Sequence, residues 1–282
     1  MFHTHTLHQG SLFSVHDVDC RAPASGCGSD EHATSHHMVF VRNGVFVKHV
    51  GKQEIVADAS RVLFFNRDEP YRVSHPVDGG DACTVVKCSP SAWREILARH
   101  DEAAADAPHS LFTMTHAMQS SRAAVGYRRL RSALRRGAVD ALEVEETTLG
   151  LIDDVLIGAH GRRTANTRSM RRATRHARRD LAEHTALVLA ARPAQRHSLG
   201  QLARAVNSSP FHLARVFREE TGTSIHQHLL KLRLSLALDR VLDRPDNLSE
   251  VAHSLGFSSH AHLTTLFRRE FGATPSALRG AQ

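Results

Sequence analysis

The last hundred residues repeat themselves, and this repeat limits the fold more than any other feature of the chain. Leu213-Ala214-Arg215-Val216-Phe217-Arg218-Glu219-Glu220-Thr221-Gly222 lines up with Leu263-Thr264-Thr265-Leu266-Phe267-Arg268-Arg269-Glu270-Phe271-Gly272 at an offset of 50. Upstream, Leu202-Ala203 lines up with Val251-Ala252 at an offset of 49, so the turn of the second copy is one residue longer. In the first copy a helix over Leu199 to Val206 is expected to bury Leu199, Leu202, Ala203 and Val206, the i, i+3, i+4, i+7 spacing of one helical face. Ala203 is small where a second helix must cross closely. Asn207-Ser208 make the turn, Ser209 suits an N-cap and Pro210 a first helical position. The second helix then buries Leu213, Val216 and Phe217 and stops at Gly222. The second copy repeats this with Leu248, Val251, Ala252 and Leu255, a turn at Gly256-Phe257, a cap at Ser258 or Ser259, and Leu263, Leu266 and Phe267 facing inward before Gly272.

Each copy therefore reads as a helix-turn-helix, one over about 199–222 and the other over 248–272. Ile225 to Val241, apolar at Ile225, Leu229, Leu232, Leu236 and Val241, is expected to be the helix that spaces them. Two recognition helices about 34 Å apart would enter successive major grooves on one face of DNA. A plain helical bundle with a duplicated pair is the simpler alternative. The cap–proline start, the small crossing residue, the turn and the basic outer face argue against it.

On these residues the chain resembles the AraC/XylS family of transcription regulators across about 183–279. The most specific stretch is Leu248 to Leu278, with Leu255-Gly256-Phe257, Ser258-Ser259, His262-Leu263, Phe267-Arg268, Phe271-Gly272 and Thr274-Pro275. The resemblance implies two helix-turn-helix subdomains on adjacent major-groove segments. It also implies an N-terminal cupin-like effector domain and a dimerisation linker, here by analogy of fold alone.

The base-facing positions lie early in each second helix, opposite its buried stripe. In the first copy these are Ser209, Pro210, Phe211, Ala214, Arg215 and Arg218. Arg215 is the strongest candidate, because a guanidinium can grip guanine through two bonds. Phe211 suits a thymine methyl, or packs on the neighbouring subdomain. In the second copy the positions are Ser258, Ser259, His260, Ala261, Thr264, Thr265 and Arg268. Family members often carry arginine where Thr265 stands, so this unit is expected to hold phosphates more than bases.

Upstream, short β-rich runs predict a small barrel: Met38 to Val41, Val45 to Val47, Glu54 to Val56, Val62 to Phe65 and Thr84 to Val86. Asn43-Gly44 reads as a hairpin turn between the first two. From Ser91 the pattern turns helical. Ser91 is expected to cap Trp93 to His100, with helices to follow at Ser120 to Arg136 and Ala138 to Gly158. The last is apolar at Leu142, Val144, Leu149, Ile152, Val155 and Leu156. The expected fold class is α+β: a β-rich cupin-like barrel over 1–105, a helical linker over 106–180, and an all-α DNA-binding domain over 181–282. Eight arginines crowd 161–180 (Arg162, Arg163, Arg168, Arg171, Arg172, Arg175, Arg178 and Arg179), either a solvated linker or an arm on phosphates.

A formal net charge of +7 suits a polyanionic partner without choosing between nucleic acid and membrane. No run reaches the roughly 18 apolar residues of a membrane span, and the opening MFHTHTLHQG has no apolar core of a secretory leader. Four cysteines (Cys20, Cys27, Cys83 and Cys88) do not make a disulfide framework, so a reduced, cytoplasmic setting is expected. Effector contacts, if the barrel binds a small molecule, are expected at Arg42, Phe64, Tyr71, Arg72 and His75. No metal or cofactor is expected. His36 and His37 are adjacent and so point to opposite faces of a strand, and no glutamate follows them to complete a cupin metal set. A structural metal or redox site among the cysteines is the minor alternative.

Double-stranded DNA is thus the expected partner, with an unidentified small-molecule effector, a homodimer through 120–158, and RNA polymerase if the protein activates. Two other classes compete. A cupin-type metalloenzyme fused to DNA-binding units would reveal itself by bound iron, and a weakly specific architectural protein by the lack of a discrete footprint.

Overall fold

The computed structural model describes residues 2–100, 111–137, 139–160, 172–243 and 247–280. Of the arginine-rich segment, Arg162, Arg163, Arg168 and Arg171 and the side chain of Arg172 lie outside the described residues.

The apolar runs of the N-terminal half become strands buried on both faces, and this explains why they are continuous rather than alternating. In β4 (His37–Gly44) and β7 (Arg61–Phe65), Met38, Phe40, Val62 and Phe64 face one core, while Val39, Val41, Leu63 and Phe65 face another. Two antiparallel sheets result. The larger has the order β1 (Phe2–Gln9), β2 (Phe13–Cys20), β9 (Asp81–Cys88), β4, β7 and β10 (His116–Met118). The smaller has the order β3 (Glu31–His32), β8 (Pro70–Ser74), β5 (Phe46–Val50) and β6 (Gln53–Ala57). One core fills the space between the sheets. The other lies between the larger sheet and the helices α1 (Pro90–Ala98), α2 (Ser121–Arg136) and α3 (Ala141–His160).

Several local expectations need correction. Asn43-Gly44 does not close a hairpin: β4 pairs with β7 and β9, whereas β5 pairs with β6 and β8. It is the corner where the chain leaves one sheet for the other. A Cβ on Gly44 would sit 2.3 Å from the Gly80 carbonyl oxygen, so close approach of two backbones is what requires glycine there. The tight hairpin is β5–β6, closed after the Val50–Gln53 pair. Ser89, not Ser91, caps α1; its side chain accepts from Ala92 N, with Pro90 at the first position. Leu142 in α3 is 65% exposed, since the helix turns Leu151, Ile152, Val155 and Leu156 inward instead. Leu199 is likewise 41% exposed.

The C-terminal half is helical. α4 (Arg172–Ala191) leads into α5 (Leu199–Ala205), α6 (Pro210–Thr221), α7 (Ile225–Asp243), α8 (Leu248–Ser254), α9 (His260–Phe271) and α10 (Pro275–Gly280). Leu189, Leu202, Ala203, Leu213 and Leu229 make the core of the first repeat. Leu234, Leu238, Val251, Ala252, Leu263, Phe267 and Leu278 make that of the second, with Ala124 of α2 packed among them. No helix of the described residues is long and apolar enough to cross a membrane.

Buried charges join the two halves. The Glu183 carboxylate of α4 accepts from Val56 N at 2.9 Å and from Arg61 Nη1 at 2.6 Å. Arg131 of α2 grips Asp17 of β2 through Nε, 2.9 Å from each carboxylate oxygen, and reaches Asp243 of α7 with Nη1. Arg128 donates to the Ser235 carbonyl at 3.0 Å and lies 3.4 Å from Asp239. His228 of α7 lies 3.8 Å from Asp58, too long for a hydrogen bond but close for two fully buried groups.

Candidate nucleic-acid interface

The two repeats build the same device from different residues. In α5 to α6 the turn residue Asn207 is left-handed (φ 51°) and Ser208 N donates to Ala203 O at 2.9 Å. In α8 to α9 Gly256 takes that role (φ 77°) and Phe257 N donates to Ala252 O at 2.9 Å. Ser209 caps α6 and Ser259 caps α9, accepting from His212 N and His262 N respectively. The extra residue of the second copy, Ser258, turns its hydroxyl to His262 Nδ1 at 2.9 Å. His262, noted in the sequence within the family-like motif but not among the base-facing positions, occupies the position of His212 and is exposed beside Ser258.

Burying Leu213, Val216 and Phe217 turns the rest of α6 outward. Ser209, Pro210, Phe211, Arg215 and Arg218 are exposed and Ala214 is half-buried, so the first-copy candidates share one face. Phe211 is 88% exposed, which decides against its packing on the other repeat. On α9, Ser258, Ser259, His260, Ala261, Thr265 and Arg268 are exposed and Thr264 is half-buried. Thr265 spends its hydroxyl proton on the Ala261 carbonyl one turn back, at 2.9 Å. The two faces differ in chemistry in their first two turns, an aromatic ring and a guanidinium on α6 against imidazole and small groups on α9, while each carries an exposed arginine one turn later, Arg218 and Arg268.

Two arginines outside these faces shape them. Arg178 of α4 hydrogen-bonds Glu219 and Glu220 at the end of α6, and its guanidinium holds the Glu219 carboxyl below the usual carboxylate range. It thereby neutralises acids that would repel phosphate, and is engaged within the fold. Arg233 of α7 donates to three carbonyls: Pro193 at 2.6 Å and Gln195 at 3.0 Å before the first repeat, and Gly256 at 3.1 Å in the turn of the second. One side chain thus ties the segment leading into the first repeat, and the turn of the second, to the spacer helix.

A family model described as a helix-turn-helix domain matches residues 202–281. The C-terminal part of the chain is an AraC-type helix-turn-helix domain. The chain is 39% identical over 88 residues to the HTH-type transcriptional regulator GlxA of Rhizobium meliloti (strain 1021), covering 31% of this chain and 26% of that protein. It is 35% identical over 88 residues to the HTH-type transcriptional regulator NimR of Escherichia coli (strain K12), covering 31% and 32%. The chain thus matches only about a quarter to a third of the length of these relatives. Among solved structures, the DNA-binding domain of AdpA in complex with a target DNA is 33% identical, with a TM-score of 0.33, over 36% of this chain and 90% of that one.

Outside the AraC-type domain, the residues expected at an effector site do not converge. Arg42 is buried against Asp19 (2.8 Å) and Asp17 (3.8 Å). Phe64 belongs to the core under the helices, packed on Phe112. Tyr71 lies on the opposite side of that sheet, edge-on to Phe65, and donates to Glu31 at 3.0 Å. Arg72 is exposed, 3.6 Å from Asp30. His75 Nε2 meets Asp81 at 2.9 Å. His36 and His37 do face opposite ways, His36 edge-on to Phe112 and His37 stacked on Phe65.

Proposed function

We propose that the chain is a sequence-specific DNA-binding transcription regulator of the AraC type, acting in the cytoplasm, in which the first repeat reads bases and the second chiefly anchors the protein to phosphates. The observation that supports this most is the asymmetry of the two outward faces. Phe211 and Arg215 stand free on α6, whereas Thr265 of α9 is turned back on its own helix. Two adjacent major-groove segments are the target, since the spacer helix and Arg233 hold the units in one relation. A small-molecule effector acting through the barrel, a homodimer, and contact with RNA polymerase in activation belong to the same reading. The shared buried charges between barrel and DNA-binding half favour transmission of a signal. No catalytic step is part of it.

Selection of binding sites from a genomic library, followed by footprinting, tests the proposal. A discrete protected site amid unprotected flanks is expected; uniform protection overturns sequence specificity. Arg215→Ala is expected to weaken binding to the selected site by about 1–3 kcal/mol while leaving random DNA nearly unchanged. Equal losses on both would make Arg215 a phosphate contact.

A further inference from the structure

In the β-rich half, Cys20 from the end of one strand meets His75 and Asp81, which flank the turn between β8 and β9; each offers a donor atom, and these atoms all lie within 4.8 Å of one another. We propose that they form a binding site for a borderline-soft divalent cation of the zinc class, bound through thiolate, imidazole and carboxylate. The site joins the two sheets. Cys20 ends β2 and is paired directly with Asp81 at the start of β9, so both side chains leave the same face of the larger sheet. His75 follows β8 in the smaller sheet and reaches across, its Nε2 2.9 Å from Asp81 Oδ1.

The surroundings hold this geometry in place. Cys83, two residues beyond Asp81 and therefore on the same face, donates its thiol to Asp81 Oδ2 at 3.1 Å. It orients the carboxylate. The turn before Asp81 is pinned to the strand end carrying Cys20: a Cβ on Gly80 would lie 1.8 Å from the Cys20 carbonyl oxygen. Gly79 N donates to Ala22 O at 3.1 Å, and Asp78 accepts from Ala24 N at 2.7 Å. His75 O accepts from Ser25 N at 2.8 Å, which ties its backbone to the same loop. Arg42 on the adjacent strand is turned to Asp19 and Asp17.

Zinc bonds of about 2.0–2.3 Å to N, O and S place tetrahedral donors roughly 3.3–3.8 Å apart, so side-chain adjustments of about an ångström would close the cluster on an ion. A mixed sulfur, nitrogen and carboxylate set suits zinc, or cobalt as its spectroscopic substitute, and does not suit calcium or magnesium, which take oxygen alone. Binding releases the thiol proton of Cys20 and leaves imidazole neutral and carboxylate ionised, giving a ligand charge of minus two against the ion's plus two.

The test uses the full chain, stripped with a chelator and checked for native circular dichroism. Titration with Co2+ is expected to give a thiolate-to-cobalt charge-transfer band that saturates at one equivalent and is displaced by Zn2+. The band is expected to vanish in Cys20→Ser and His75→Ala and to persist in Cys27→Ser. Zinc X-ray absorption on the unsubstituted protein, which needs no variant to fold, is expected to show at least one sulfur at about 2.3 Å with nitrogen or oxygen at about 2.0 Å. A folded protein that takes up no stoichiometric cobalt, an all-nitrogen-and-oxygen shell around zinc, or a band that survives Cys20→Ser overturns the site.

Discussion

At the residue scale, Gly256 shows how one position serves two purposes. Its left-handed φ of 77° makes the turn, and a Cβ there would lie 2.4 Å from the Ala194 carbonyl oxygen. Gly222 has nearly the same φ, 73°, with nothing within 4 Å of its would-be Cβ. Gly222→Ala is therefore expected to cost about 1–2 kcal/mol from backbone strain alone. Gly256→Ala should cost more, and should also lower affinity for the selected DNA site by loosening the second repeat. Urea denaturation and a binding titration check both. A second residue-level consequence concerns pH. Burial pushes the imidazoles of His37 and His116 down to about 4, from an ordinary 6.5. The unfolded chain then binds more protons than the folded one between about pH 6.5 and 4. Stability is expected to be full above that window and to fall as pH drops through it, by on the order of 1 kcal/mol per histidine or more. Thermal melts as a function of pH report this, and replacing His37 with Gln should flatten the slope. Much at this scale was legible in the sequence: Arg215, Ser209 and Gly272 stand where periodicity and capping rules put them. The cation cluster was not. Cys20 lies more than fifty residues from His75 and Asp81, and only the register of β2 with β9 brings it to them.

At the element scale, the two repeats offer a test of equivalence. Ser209 and Ser259 cap α6 and α9 with the same bond, to the amide three residues on. Ser209→Ala and Ser259→Ala are each expected to destabilise by about 1 kcal/mol, and their double variant by the sum, because the caps share no partner. A sum that falls well short would mean the second helices do not unfold with the rest. Helices were read well from sequence because each carries its own signal: α2 follows the Ser120 cap and ends at Arg136, as the periodicity requires. Strands were read less completely. β1 is mostly exposed histidine and threonine, and β10 is three residues long, so neither shows an apolar run. Asn43-Gly44 misleads for a related reason. A positive-φ turn signal states that the chain bends, and only pairing partners far along the sequence decide whether it bends within a sheet or out of it.

At the scale of the whole molecule, the β-rich half, the helices that follow it and the helix-turn-helix half share buried charge. Arg61 is 1% exposed and depends on Glu183 of another region. Glu183→Ala would strand that guanidinium and is expected to destabilise the chain by about 3–5 kcal/mol. Calorimetry of the unsubstituted chain should show one transition, and that of the variant two, as the β-rich half and the helix-turn-helix half unfold separately. Burial would raise the Asp58 carboxyl, yet His228, Arg61 and Ser60 hold it down at about 2, so this junction stays charged at any ordinary pH. None of this was legible from sequence. The partners that join the two halves lie more than a hundred residues apart, and each charged residue alone reads as solvated surface.

The reach of Arg131 from Asp17 to Asp243 bears on how such proteins are rebuilt. Swapping sensors between regulators treats residues 181–282 as a cassette with a clean edge. Here that edge is not clean: Asp239 and Asp243 of the spacer helix face guanidiniums that the cassette leaves behind. A chimaera would therefore need arginines grafted at those two points, or the two aspartates removed, before its new sensor could be judged on its own merits.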